Sequence, residues 1–150
     1  MTDETLPPPQ SPVPEQKPPR LNPRIKAAPQ HGQLYWCDFW RDAQLPEIWK
    51  TRPVVVLSYK NTLHGTCPVI PTSTDPDQDP VWSWELSVSM DGRRNWAICN
   101  QLHTVAVSRL SNNAGKIIRV PKAEFNEILS RVSAWLPRPF DLTTLASPPS

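Results

Sequence analysis

Only four glycines, Gly32, Gly65, Gly92 and Gly115, are spread over the 150 residues. No loop that cradles phosphate through closely spaced glycines can be built from them, which removes the P-loop and dinucleotide-binding classes. Neither HExxH nor GxSxG occurs, so zinc-protease and nucleophile-elbow chemistry lack their parts. The three histidines, His31, His64 and His103, stand at no metal-ligand spacing. The cysteines, Cys37, Cys67 and Cys99, are odd in number, far apart and without a CxxC pair. A disulfide framework and a zinc site both drop out, and three buried thiols are expected. No metal and no cofactor is expected. No apolar run approaches the ~18 residues a membrane span needs. The start, MTDETLPPP, has neither the basic nor the apolar part of a signal peptide. The expectation is a soluble, cytoplasmic protein with no membrane contact.

What is present is unevenly placed. Nine of the 20 prolines precede Gln30, whereas all seven tryptophans follow it. This composition shift predicts three parts: a disordered Pro-rich N-terminal tail over 1–30, one folded domain over 31–137, and a flexible C-terminal tail over 138–150. The tail carries PxxP spacings and a thin basic stripe of Lys17, Arg20, Arg24 and Lys26. Such a stretch ordinarily serves as a solvated spacer. The net charge of +2 neither requires nor excludes a nucleic acid.

The core reads as strands closed by a helix. Strands are predicted over 33–40, 52–59, 66–73, 81–90 and 96–107. Val54 to Leu57 has no polar break, as in a strand buried on both faces. Pro68 and Pro71 confine the third strand to a sheet edge or to its ends. Trp82, Trp84, Leu86 and Val88 alternate with polar residues in the fourth. Pro121 to Leu136 is an amphipathic helix with Phe125, Ile128, Leu129, Val132 and Leu136 in one stripe, ended by Pro137. The fold class is mainly β with a C-terminal helix, a small β-barrel.

Polar groups gather at predicted strand ends. Arg52 opens the second strand, and Thr72 and Ser73 close the third. Asn100, Gln101 and His103 interrupt the fifth, and Glu47 lies in the loop before Arg52. A permanent cation at the head of the most buried strand suits a phosphate; its alternative is an ion pair with Glu47 or Asp38.

The blocks GQLYWCDFW, EIWKTRPVVVLS, VIPTST and WAICNQLHTVAVSRL, in that order and followed by the helix, resemble the MazF/PemK family of toxin endoribonucleases over about residues 32–136. The resemblance implies an SH3-like barrel, a homodimer, sequence-specific metal-independent cleavage of single-stranded RNA, and a cognate antitoxin that fills the groove. It places the family arginine on Arg52, the threonine on Thr72 or Ser73, and the loop glutamate on Glu47. Several positions depart from the pattern. Asn100-Gln101 stands for Asp-Gln, and His103 for the following basic residue. Lys50-Thr51 replaces the glycine before Arg-Pro. Ile98 and Asn100 occupy the Arg-x-Asp positions of the Kid branch.

Cutting RNA without metal needs a base for the 2′-hydroxyl, a cation for the phosphorane and an acid for the leaving oxygen. Arg52 fits the cation and Thr72 a hydrogen-bond donor. His103 and Glu47 are the two candidates for proton transfer. Ser73, Asn100, Gln101 and Trp49 are the expected RNA contacts, with Trp40 beside Trp49 as a stacking surface. Two other classes remain open at this point: a catalytically silent RNA- or antitoxin-binding module, and a gyrase-binding poison as in the CcdB branch of the same fold.

Overall fold

The computed structural model of the protein describes residues 15–139. The chain forms one curled antiparallel sheet and a C-terminal helix. Its elements are β1 (Gln33–Asp38), β2 (Thr51–Val56), β3 (Thr66–Ser73), β4 (Ser83–Glu85), β5 (Trp96–Ile98), β6 (His103–Ala106), a 3-10 turn (Val107–Arg109), β7 (Leu110–Ser111), β8 (Ile118–Arg119) and α1 (Lys122–Trp135). The order across the sheet is β4-β5-β3-β2-β1-β7, with β6 also on β3 and β8 also on β1. No helix among the described residues is long and apolar enough to cross a membrane.

The sheet is packed on both faces, and strand alternation divides the core in two. One cluster holds Cys37, Phe39, Val54, Val56, Cys67, Val69 and Val105. The other holds Leu34, Val55, Ile70, Ala97 and the helix residues Phe125, Ile128 and Val132. Val54, Val55 and Val56 are therefore all fully buried, as their unbroken apolar run predicts. The three cysteines are free and buried. Burial pushes their thiols up, Cys37 to about 12 and Cys67 and Cys99 to about 11.

Four features differ from expectation. First, β3 is central, not an edge. β2 lies on one side; β6 and then β5 lie on the other. Its prolines fit because Pro71 sits between the last β6 pair, Val69↔His103, and the first β5 pair, Thr72↔Ala97, while Pro68 lies one past the end of the β2 pairing. Second, the predicted fifth strand is broken by a turn at 99–102, where the Gln101 N–H donates to the Ile98 carbonyl. Third, the predicted 81–90 strand keeps only Ser83–Glu85. The Leu86 N–H still donates to the Asn95 carbonyl, one step past the last ladder pair, and the chain then turns, with the buried Asn95 side chain donating to the Val88 carbonyl. Fourth, Leu136 is the residue after the helix and is 47% exposed, outside the apolar stripe.

The N-terminal side also differs. Residues 1–14 and 140–150 of the expected tails lie outside the described residues. Residues 15–30 have no strand or helix, yet they are packed from Arg20 on. Ile25 is 5% exposed within the first core cluster. Arg20 donates to the His64 carbonyl (2.9 Å), Arg24 to the Ser108 carbonyl (3.2 Å), and the Pro29 carbonyl accepts from Asn61 (2.8 Å). A buried Ile here is worth what a core Ile is worth. Ile25→Ala should lower unfolding free energy by ~2–5 kcal/mol in urea titration; an unchanged midpoint would mean that this segment contributes nothing to the fold.

The helix is tied down through Glu124, whose carboxylate accepts from Ser87 N–H (2.9 Å), the Ser87 hydroxyl and the Trp84 indole (3.2 Å). Partial burial raises its pKa, but these hydrogen bonds together outweigh that and leave it below the usual value. A depressed folded-state pKa gives stability that is present above the unfolded carboxylate pKa and is lost as pH falls through the folded one. Glu124→Gln should therefore flatten the acid limb of a thermal-stability profile below about pH 4.5; an identical profile would remove Glu124 from the account.

Candidate active site

The β2–β3 pairing brings Arg52 and Thr72 together. The ladder runs Val54↔Pro71, so Pro53 and Arg52 lie beside Thr72 and Ser73 at the strand ends. The Arg52 guanidinium donates through Nε to the Trp49 carbonyl (3.2 Å) and through Nη1 to the Thr72 carbonyl (3.2 Å). The Thr72 hydroxyl donates back to the Pro53 carbonyl (2.9 Å). The expected alternative of an ion pair does not form: among the described residues the ion pairs are Arg93–Asp91, Arg94–Glu85 and Arg131–Glu127. Half-burial pushes the Arg52 pKa below the ordinary arginine value, and a guanidinium still carries its charge at neutral pH. Of the five N–H donors a guanidinium has, two meet carbonyls, and the others are left for a ligand.

These groups open into a cleft of about 480 Å3 that Lys50, Arg52, Ser73, Asp75, Asp91 and Arg93 help to line. The Ser73 hydroxyl oxygen accepts from Asp75 N–H (3.1 Å) and Gln78 (3.4 Å), so its own proton is free to point outward. Thr72 is 2% exposed and its hydroxyl proton is already engaged. The two adjacent hydroxyls thus divide the work: Thr72 holds the strand ends and Ser73 faces the cleft. Asp91 is paired with Arg93 at 2.8 Å, and Asp75 receives Asp77 N–H on one oxygen.

Lys50, of the Lys50-Thr51 pair that replaces the glycine before Arg-Pro, has a left-handed backbone, with φ 60°. The turn before Arg-Pro thus keeps a glycine-like conformation, at a steric cost of roughly 1–2 kcal/mol for a side-chain-bearing residue, and gains a cation in the cleft. Sequence reading missed Lys50, Asp75 and Arg93. The DGRRN turn held the visible signal for Arg93, two arginines just after a turn glycine.

Four other expected site residues are not brought to Arg52. Glu47 is exposed and caps its own loop, accepting from Gln44 N–H (3.1 Å). His103 pairs with Val69, does not line the cleft, and packs on Phe39 and Trp40 with ring centroids 5.5 and 6.1 Å away. One of its ring nitrogens contacts the Gln101 carbonyl at 2.8 Å. Asn100 and Gln101 lie in the turn between β5 and β6 and do not line the cleft. Trp49 is 51% exposed, adjoining the cleft through its carbonyl contact to Arg52. Among the described residues no three His, Cys, Asp or Glu side chains gather as a metal site.

The family model for the PemK-like, MazF-like toxin of type II toxin-antitoxin systems matches residues 30–136, most of the chain. The chain belongs to this family. MazF from Deinococcus radiodurans aligns over 73% of this chain and 96% of its own, with TM-score 0.58 and 18% identity. The Deinococcus radiodurans MazE-MazF complex (Form-II) gives TM-score 0.56 at 18% identity, over 73% of this chain and 95% of that one. An endoribonuclease from a Mycobacterial species, in complex with its cognate antitoxin, gives 0.54 at 20% identity, covering 75% and 100%. None of the curated proteins matches the chain by sequence. The neighbours share the curled sheet and helix seen here.

The Thr72 assignment is testable by stability alone. Thr72→Val keeps the shape but leaves the Pro53 carbonyl without its partner, so unfolding free energy should fall by ~1–3 kcal/mol. Ser73→Ala should stay within ~0.5 kcal/mol of the parent. Equal effects in denaturant titration would reject the division between them.

Proposed function

We propose that this protein is the toxin of a toxin–antitoxin pair and cuts single-stranded RNA at the Arg52 cleft without a metal. The observation that carries the reading is Arg52 itself: a half-buried guanidinium, clamped by two carbonyls and paired with no carboxylate among the described residues, at the mouth of a cleft with Lys50 and Ser73. A fixed cation in a partly dry site stabilises developing negative charge better than a mobile one in water.

In the scheme, the RNA 2′-hydroxyl attacks the adjacent phosphorus. Its proton passes to Asp75, the cleft carboxylate not tied up in an ion pair. Arg52 and Lys50 neutralise the phosphorane oxygens, and Ser73 donates a hydrogen bond to one of them. The P–O5′ bond breaks and the leaving oxygen takes a proton from water. The products are a 2′,3′-cyclic phosphate and a 5′-hydroxyl. Neither Glu47 nor His103 has a step in this scheme. The protein works in the cytoplasm as a homodimer, and an acidic antitoxin segment would silence it by filling the same cleft.

The test is incubation with mixed single-stranded RNA in EDTA, with both ends of each fragment mapped. Cuts carrying cyclic phosphates are expected. Arg52→Ala should slow them by roughly 100- to 1,000-fold, Asp75→Asn should slow them too, and His103→Ala and Glu47→Gln should cut near the parent rate. Binding without cutting would turn the reading to a silent RNA-binding module. Cutting unchanged in Arg52→Ala would overturn the site.

A further inference from the structure

The segment before residue 30 lies outside the family-matched stretch, yet it is fixed to the sheet by Ile25, Arg20 and Arg24. Between Glu15 and Gln30 it carries four exposed cations, Lys17, Arg20, Arg24 and Lys26, against one carboxylate, Glu15. None of the four pairs with a described carboxylate. Lys17 and Arg20 line a hollow of about 530 Å3 with His64 and Ser108.

This basic strap connects to the Arg52 cleft through residues in contact. Arg24 holds the Ser108 carbonyl. The next residue, Arg109, lies over the Trp40 ring, 4.9 Å from its centroid, and donates to the Asp38 carbonyl at 2.8 Å. Trp40 and the exposed Trp49 line a second hollow of about 640 Å3 with Arg41, Lys50 and Thr51. Lys50 and Thr51 also line the Arg52 cleft. The carboxylate lining the Trp hollow, Asp38, accepts from the Thr51 hydroxyl (3.4 Å).

We propose that the strap and the Trp40–Trp49 hollow form an accessory track for the single-stranded RNA that flanks the cleavage site. Bases stack on Trp49, and the strap cations neutralise flanking phosphates. The proposal rests on the RNA reading given above. Alternating aromatic planes and cations match single-stranded RNA, whose bases and phosphates alternate likewise. An acidic peptide would use the cations and leave the indole faces without a role.

The test uses the full chain and fully 2′-O-methylated RNAs, which bind but cannot be cut, one of about six and one of about twenty nucleotides. Lys17 and Lys26 make no hydrogen bond to the rest of the described protein, so Lys17→Ala/Lys26→Ala should keep the parent Tm. Affinity by fluorescence anisotropy for the longer RNA should fall about threefold to tenfold. The slope of log affinity against log salt should flatten by ~1.4, about 0.7 for each lost phosphate contact on a single strand. The short RNA should bind as before. Trp49→Ala should weaken the longer RNA several-fold with the salt slope unchanged. Unchanged affinity and slope for the longer RNA, with Tm retained, overturn the track. Loss of oligoglutamate binding with RNA affinity intact would assign the strap to a protein partner and overturn it as well. A parent chain that shows these binding effects but cuts nothing in EDTA keeps the track and loses the nuclease. One that cuts, with strap variants neutral in binding, keeps the nuclease and loses the track.

Discussion

A reciprocal clasp between the ends of β2 and β3 governs the rest of the site. Arg52 gives a hydrogen bond to the Thr72 carbonyl, and Thr72 returns one from its hydroxyl to the Pro53 carbonyl. The pair extends the strand pairing past its last ladder partners, Val54 and Pro71. It also immobilises a side chain that would otherwise lose much rotamer freedom on meeting a ligand. Hydrogen bonds to a charged group are the stronger kind, ~1.5–3 kcal/mol each. The guanidinium therefore stays in place whether or not anything occupies the cleft, which is the condition for electrostatic preorganisation.

Around that fixed point the neighbouring segments are less regular. Lys50 holds a left-handed backbone just before it, and the loop from Phe39 to Lys50 exposes Leu45 and Trp49. The 91–95 turn brings Arg93 in from the other side of the cleft. Arg52 and Ser73 sit on strand ends, whereas Lys50, Asp75 and Arg93 come from loops around the cleft, a division between rigid scaffold and variable surface.

Much of this was legible in the sequence, and what was not has a geometric cause. The Val54–Val56 run, the helix stripe and the meeting of Arg52 with Thr72 follow from periodicity and from neighbouring antiparallel strands. His103 did not follow. Counted along an unbroken strand from Ala97, it falls on the face that Ala97 shares with Thr72. The turn at 99–102 resets the count, so Ala97 packs in the helix-side cluster and Val105, two beyond His103, in the other. No local residue signal announces such a reset. The family resemblance and its place in the loop before Arg52 point to Glu47, but the loop directs its carboxylate to Gln44 N–H. The prolines of β3 were read as edge markers because a gap between two successive partner strands is a tertiary fact. Ile25 went unnoticed because a lone apolar residue among prolines and charges has no periodicity to betray it.

The buried cysteines have a practical side. Cys37, Cys67 and Cys99 have no exposed surface and, with thiol pKa values near 11 to 12, hold almost no thiolate at neutral pH. Peroxide and thiol-directed electrophiles therefore find no accessible thiolate on the native molecule. Maleimide would count molecules that have opened, with three native sulfur atoms serving as a built-in clock of breathing on both sides of the sheet.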